Sequence, residues 1–160
     1  MGFSAGGHLV GLLGALWDQP WLAESISASP ESIRPDTLCL GYPVVSSGAY
    51  AHRGSFEHLT GADGALAQKL SIENMVGDGF PRTFLWHTAE DASVPVQNSL
   101  LLAQALADHG IGFSLHVFSH GKHGASLATD QTAFKGCAEH IQPQVQGWPE
   151  QFVAWERDGR

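Results

Sequence analysis

A serine hydroxyl is a poor nucleophile until an imidazole takes its proton, and that imidazole works best when a carboxylate fixes its tautomer. The 160-residue chain places these three groups in separate loops, as Ser4, Asp91 and His123. Ser4 lies in Gly2-Phe3-Ser4-Ala5-Gly6, which fits the G-x-S-x-G pattern of a nucleophile elbow. In such a sharp strand-to-helix turn, side chains two residues either side of the serine would collide, so glycine is expected at both Gly2 and Gly6. The following helix would aim its first N–H groups back at the nucleophile. The Ala5 N–H is then the first donor for negative charge developing on a substrate oxygen. Taken alone, the motif equally suits a glycine-rich turn before a packed helix, since the chain holds 19 glycines. The partners decide.

Those partners need elements to carry them to one place. Residues 5–17 are apolar almost all round, with Gly7, Gly11 and Gly14 on one face, and predict a buried helix. Asp18-Gln19-Pro20 stops it, and a loop leads to an apolar run, Thr37-Leu38-Cys39-Leu40, that reads as a buried strand. Residues 46–60 have no sustained period and read as a long surface loop or cap piece. Helical patterning returns at 64–70, and Ser71-Ile72-Glu73-Asn74 can form a short turn. Thr83-Phe84-Leu85-Trp86 is a second strand, and Pro95 opens a helix carrying Val96, Leu100, Ala103 and Ala107 to a stop at Gly110. Phe113, Leu115 and Val117 alternate with polar residues in a third strand. Asp130 can then cap a helix, and Pro149 can open a last one bearing Phe152 and Trp155.

Strands alternating with helices predict an α/β fold, a parallel sheet with helices on both faces, organised as a single domain over 1–160. Sites in such sheets lie beyond the carboxyl ends of the strands. That rule gathers the turn at Ser4, the loop His87-Thr88-Ala89-Glu90-Asp91 and the loop Ser119-His120-Gly121-Lys122-His123-Gly124 on one rim.

Composition narrows the partners. With 8 Lys+Arg against 16 Asp+Glu the formal charge is −8, which leaves no basic surface for nucleic acid or anionic membrane. A small neutral substrate fits better. No apolar run has the length of a membrane span and no secretory leader pattern opens the chain, so the sequence reads as soluble and cytoplasmic. Cys39 and Cys137 are too few and too far apart for a disulfide framework.

At this point the chain resembles the C-terminal part of α/β-hydrolase esterases, particularly acetyl-xylan-esterase-like and dienelactone-hydrolase-like carboxylesterases. The resemblance lies in Gly2-Phe3-Ser4-Ala5-Gly6-Gly7-His8, in Gly41-Tyr42-Pro43-Val44, in Phe84-Leu85-Trp86-His87-Thr88 with Asp91-x-x-Val94-Pro95, and in His116-x-Phe118 before Gly121-x-His123-Gly124. It covers nearly the whole chain, and the order serine, acid, histidine is the one that family uses. It implies Ser4 as nucleophile, His123 as general base then acid, Asp91 as the orienting carboxylate, and hydrolysis of short-chain acyl esters, acetyl esters of carbohydrates among them, with no cofactor. It also implies that the strands before the elbow and a His-Gly-Gly-type loop with a second oxyanion donor are missing. An exposed sheet edge left in this way predicts self-association.

Other readings stay open. A non-catalytic remnant would keep the same residues, and a prolyl-oligopeptidase-type peptidase shares this layout. His116, His120 and His123 invite a zinc reading, against which His116 falls on a predicted strand and no H-E-x-x-H accompanies it. Ser93 and Ser99 lie near the acid loop without an elbow. His8 is expected to pack near the elbow and His87 to hydrogen-bond inside the rim loop, while His52, His58, His109 and His140 read as surface residues.

Overall fold

The computed structural model describes residues 1–159. Four parallel strands, β1 (Gly2–Phe3), β2 (Thr37–Gly41), β3 (Arg82–Thr88) and β4 (Phe113–Phe118), form one sheet in the order β1-β2-β3-β4. The helices are α1 (Ala5–Leu16), α2 (Pro20–Ser25), α3 (Pro30–Ile33), α4 (Arg53–Thr60), α5 (Gly64–Lys69), α6 (Gln97–Asp108) and α7 (Trp148–Asp158).

Strand alternation sorts the side chains into two cores. Leu38, Leu40 and Leu85 face one side, where Val10, Leu12 and Ala15 of α1 meet Leu102, Ala103 and Leu106 of α6. Cys39, Phe84 and Trp86 face the other, under Trp148, Phe152 and Trp155 of α7. The first core is aliphatic apart from Phe80, and each fully buried leucine in it contributes about 1.5–3 kcal/mol. The second is aromatic: Trp86 stacks on Trp148 at 5.3 Å, and Phe84 meets Phe152 edge-on at 5.5 Å. Arg82 ties the last helix down, donating to the Trp155 carbonyl at 2.8 Å with its guanidinium 3.9 Å from the indole centre. Burial in the aromatic core pushes the Cys39 thiol up to about 12, which leaves it unreactive.

Close approach of α1 to the sheet follows from its small face. An added Cβ at Gly11 would lie 2.5 Å from Ile72 Cδ1, and one at Gly14 would lie 2.7 Å from Leu38 Cδ1. The helix is nevertheless buried on that face alone. Leu9 is 70% exposed on the opposite side, contrary to the all-round burial its composition predicts.

Three further expectations need correction. Residues 20–33 carry two short helices, each with proline in its first turn, where the sequence reads as loop. The stretch 46–60 contains α4, capped by the His52 ring accepting from the Ser55 N–H and held by buried Phe56. Asp130 caps nothing. Among the described residues, only a 3-10 turn at Ala138–His140 lies between β4 and α7, because Ser126, Ala128 and Gly136 take positive φ and break the run into turns.

The register sets the rim. Phe3 pairs with Gly41, Gly41 with Trp86, and Thr88 with Phe118, so the strands end nearly level. The chain leaves each strand already fixed to its neighbour: Ser4 N–H donates to the Gly41 carbonyl at 3.1 Å, Tyr42 N–H to Trp86 at 2.7 Å, and Ala89 N–H to Phe118 at 2.8 Å.

Candidate functional site

Ser4 sits between β1 and α1 at φ 54°, ψ −125°, a conformation that costs a non-glycine residue about 1–3 kcal/mol. The surroundings hold it there. Besides the bond to Gly41, its carbonyl accepts from the N–H groups of Gly7 at 3.0 Å and Val44 at 3.1 Å. The two flanking glycines differ. A Cβ on Gly2 would overlap the Gly6 carbonyl and approach Gly7 Cα to 2.9 Å, whereas one on Gly6 would meet nothing within 4 Å. The expected mutual collision is therefore one-sided: the backbone of the first helical turn excludes a side chain at Gly2, and Gly6 faces open space. Ala5 opens α1, so its N–H has no acceptor within the helix.

His123 arrives from the loop after β4, and its Nε2 lies 2.7 Å from Ser4 Oγ. Its Nδ1 lies 2.7 Å from Asp91 Oδ2. A carboxylate can only accept, so the imidazole proton is on Nδ1 and the Nε2 lone pair accepts from the serine hydroxyl. The loop is shaped by Gly121 at φ 136° and Gly124 at φ 87°, and Thr88 Oγ1 donates to the Gly121 carbonyl at 2.8 Å. The Tyr42 ring stands against His123, centroids 4.9 Å apart and near-perpendicular, while its hydroxyl accepts from the Ser126 N–H at 3.2 Å. Tyr42 thus braces both the imidazole and the segment that follows it. Sequence reasoning took Gly41-Tyr42-Pro43-Val44 only as part of the resemblance, without this role.

Asp91 is buried, with its side chain fully covered. Burial alone would raise its pKa. The hydrogen bond from His123, the nearby His87 ring and the Val94 N–H outweigh that burial and hold the carboxyl well below the usual range. Oδ1 accepts from the N–H groups of Ser93 and Val94, both at 2.9 Å, leaving Oδ2 for the imidazole. His87 is fully buried beneath this loop, with Nε2 2.9 Å from the Val94 carbonyl and 3.4 Å from Asp91 Oδ2, and Nδ1 2.8 Å from Ser99 Oγ. Ser99 is thereby engaged in the interior, and Ser93 serves the acid loop through its backbone.

The three histidines with metal-like spacing are partnered apart. His116 contacts Ser114 Oγ at 2.9 Å and stacks on Phe84 at 4.8 Å, and His120 pairs with exposed Glu90 at 2.8 Å. His8 packs beside the elbow as expected. Its Nε2–H donates to the Leu70 carbonyl at 2.8 Å, and burial lowers its pKa more than that bond raises it. His140, expected at the surface, is buried against Phe134, whereas His58 and His109 are exposed.

A cleft of about 540 Å³ opens between α1 and α4, walled mainly by apolar groups of Leu9, Leu12, Val44, Phe56 and Leu59. Ala5 is the elbow residue that lines it. The segment that follows Val44 is held by Asn98, a buried residue on α6 whose Oδ1 accepts from Val45 N–H at 2.9 Å and Ser46 N–H at 3.0 Å while Nδ2 donates to the Tyr50 and Pro95 carbonyls. Nothing in the sequence pattern singled Asn98 out.

Comparison with known proteins agrees with this architecture. The prolyl oligopeptidase family matches residues 65–139. Endo-1,4-beta-xylanase B of Butyrivibrio fibrisolvens is 40% identical over 137 residues, which are 82% of this chain and 21% of that protein. An acetylxylan esterase of Xylanibacter ruminicola is 30% identical over 136 residues, 81% of this chain and 26% of that protein. The crystal structure of an acetyl ester-xyloside bifunctional hydrolase from Caldicellulosiruptor lactoaceticus superimposes with a TM-score of 0.81 at 42% identity, covering 98% of this chain and 54% of that one. The chain thus spans about a fifth to a quarter of these two curated relatives and about half of the solved structure. It belongs to the α/β-hydrolase superfamily, beside the acetylxylan-esterase-like carboxylesterases.

Proposed function

We propose that the chain carries the acyl-transfer centre of a serine esterase acting on short-chain acyl esters, acetyl esters of carbohydrates among them. The observation that carries this reading is the continuous chain Ser4 Oγ, His123, Asp91, with 2.7 Å at each link, beside a free helix N-terminus. In the first half-reaction Ser4 Oγ attacks the ester carbonyl as His123 Nε2 takes its proton. Asp91 holds the resulting imidazolium. Collapse of the tetrahedral intermediate expels the alcohol, protonated by His123, and leaves Ser4 acylated. Water, deprotonated by the same imidazole, then releases the acid. The Ala5 N–H is placed to donate to the oxyanion, and a single such donor contributes about a hundredfold to a thousandfold in rate.

The match to the prolyl oligopeptidase family favours a second reading, cleavage of a peptide amide by the same three residues. A panel of aryl and sugar acetates against a proline-containing peptide amide separates the two. The esterase reading expects acetate release that disappears in Ser4→Ala. Amide cleavage without ester cleavage would reverse the assignment.

Self-association belongs to the same proposal. The two-residue strand β1 is a sheet edge, and Leu9, Trp21 and Ile26 are 57–70% exposed nearby in sequence, a surface suited to a second copy of this chain. Light scattering across a dilution series checks it.

A further inference from the structure

His87 is accounted for by neither the acyl-transfer chemistry nor ordinary core packing. It lies at 0% exposure on β3, where an imidazole with unmet hydrogen-bonding groups would be costly, and it is fully partnered. Its Nε2 faces two acceptors, the Val94 carbonyl and Asp91 Oδ2, so that nitrogen carries the proton. Nδ1 is then the acceptor, and the Ser99 hydroxyl, projecting from α6, donates to it. One tautomer alone satisfies all three contacts.

What this proton holds is the acid loop. Val94 donates its N–H to Asp91 Oδ1 and accepts the His87 proton on its carbonyl, so the residue is gripped from both sides. If Val94 shifted, it would carry the donor of Asp91 with it. The same Nε2–H stands 3.4 Å from Oδ2, on the oxygen that receives His123. We propose that His87, with its Nδ1 held by Ser99, is a positioning residue that pins the acid loop so that Asp91 Oδ2 faces His123. The assignment rests on the acyl-transfer reading above. It goes beyond that reading by extending the site inward to α6: the line of contacts runs Ser4, His123, Asp91, His87, Ser99. Tyr42, whose ring packs on His123, also feels the Asp91 charge.

The test compares His87→Leu, which removes the donor, His87→Gln, which keeps an N–H near the Nε2 position, and Ser99→Ala, which removes the hydroxyl that holds Nδ1. Asp91→Asn is the reference, and melting curves with near-ultraviolet circular dichroism establish that each variant is folded. In wild type, nitrogen-15 spectra of the histidines should show His87 protonated on Nε2, and a low-field proton should report the His123 Nδ1 bond to Asp91. His87→Leu should lose the low-field signal. Its kcat per titratable Ser4 should fall about 10–100-fold, with KM within twofold, as expected when a reacting group is misplaced by a fraction of an ångström. His87→Gln should recover most of that loss. Ser99→Ala, the milder change, should weaken the low-field signal and lower kcat about threefold, and it decides the matter if His87→Leu does not fold. The spectroscopic arm needs no turnover. A folded His87→Leu or Ser99→Ala protein that keeps both the low-field signal and the wild-type kcat, while Asp91→Asn is inactive, would overturn the role of His87 alone. Full activity in Asp91→Asn would instead remove the triad reading itself.

Discussion

Two carboxylate–imidazole pairs stand side by side on the same rim, built from adjacent acids. Asp91 meets His123 at 2.7 Å and Glu90 meets His120 at 2.8 Å, so distance does not separate them. Surroundings do. The Asp91 side chain is fully covered, receives two backbone N–H groups and lies against a second imidazole, whereas the Glu90 and His120 side chains are 57% and 66% exposed. In water a pair of that kind is screened and loses side-chain entropy on forming, so its net contribution is small. In the covered site the same contact fixes a tautomer and holds charge where water cannot compensate. Fixed donors around an acid, more than proximity to a base, set the pair assigned to the proposed chemistry apart from its exposed neighbour.

The sharpest way to break this comparison is to neutralise each acid in turn. Asp91→Asn should lower ester turnover by about four orders of magnitude, because the amide disfavours the required tautomer of His123. Glu90→Gln should stay within about twofold. Steady-state kinetics on both variants with one acetate ester gives the ratio directly, and equal losses would show that burial does not discriminate.

The elbow allows a parallel contrast in stability. Gly2→Ala should destabilise the fold by about 1–3 kcal/mol or more, since the new Cβ would overlap the backbone of the first helical turn. Gly6→Ala should be neutral or stabilising by up to about 1 kcal/mol, because its Cβ meets open space within a helix. Urea melts of the two variants would sharpen the comparison, and similar losses would restore the mutual-collision view of the motif.

A smaller effect follows from linkage. The folded-state pKa of Asp91 lies below its unfolded value of about 3.9, so its ionised form contributes stability that is complete above that value and is lost as pH falls below it. The difference in Tm between wild type and Asp91→Asn should therefore change as pH drops from 5 toward 2 in the direction of lost wild-type stability. The Glu90→Gln difference should change less, since that carboxylate is exposed.

Much of this architecture is legible in the residues. Leu38 to Leu40 and Phe84 to Trp86 read as buried strands because both faces of a parallel sheet are covered, and the rim rule then gathers Ser4, Asp91 and His123 without further information. Elements that depend on distant partners were not legible. The helix α4 contains Gly54 and has little apolar content beyond Phe56 and Leu59, so its pattern is faint until the His52 cap and the core around Val44 are in place. The helix expected after Asp130 is replaced by turns, and Gly136, at positive φ, lies within the stretch where it would have run. Ser99 sits 12 residues from His87 on another element, and the Tyr42 ring reaches a histidine 81 positions away, so neither pairing leaves a local trace.

The central claim is that Ser4 is the activated nucleophile, and covalent labelling tests it most directly. A serine-directed phosphonate, incubated with the purified chain and located by peptide mass, should modify Ser4 in stoichiometric amount. His123→Ala should abolish the modification. Labelling at Ser93 or Ser99 instead, or labelling of Ser4 that proceeds equally fast without His123, would contradict the account.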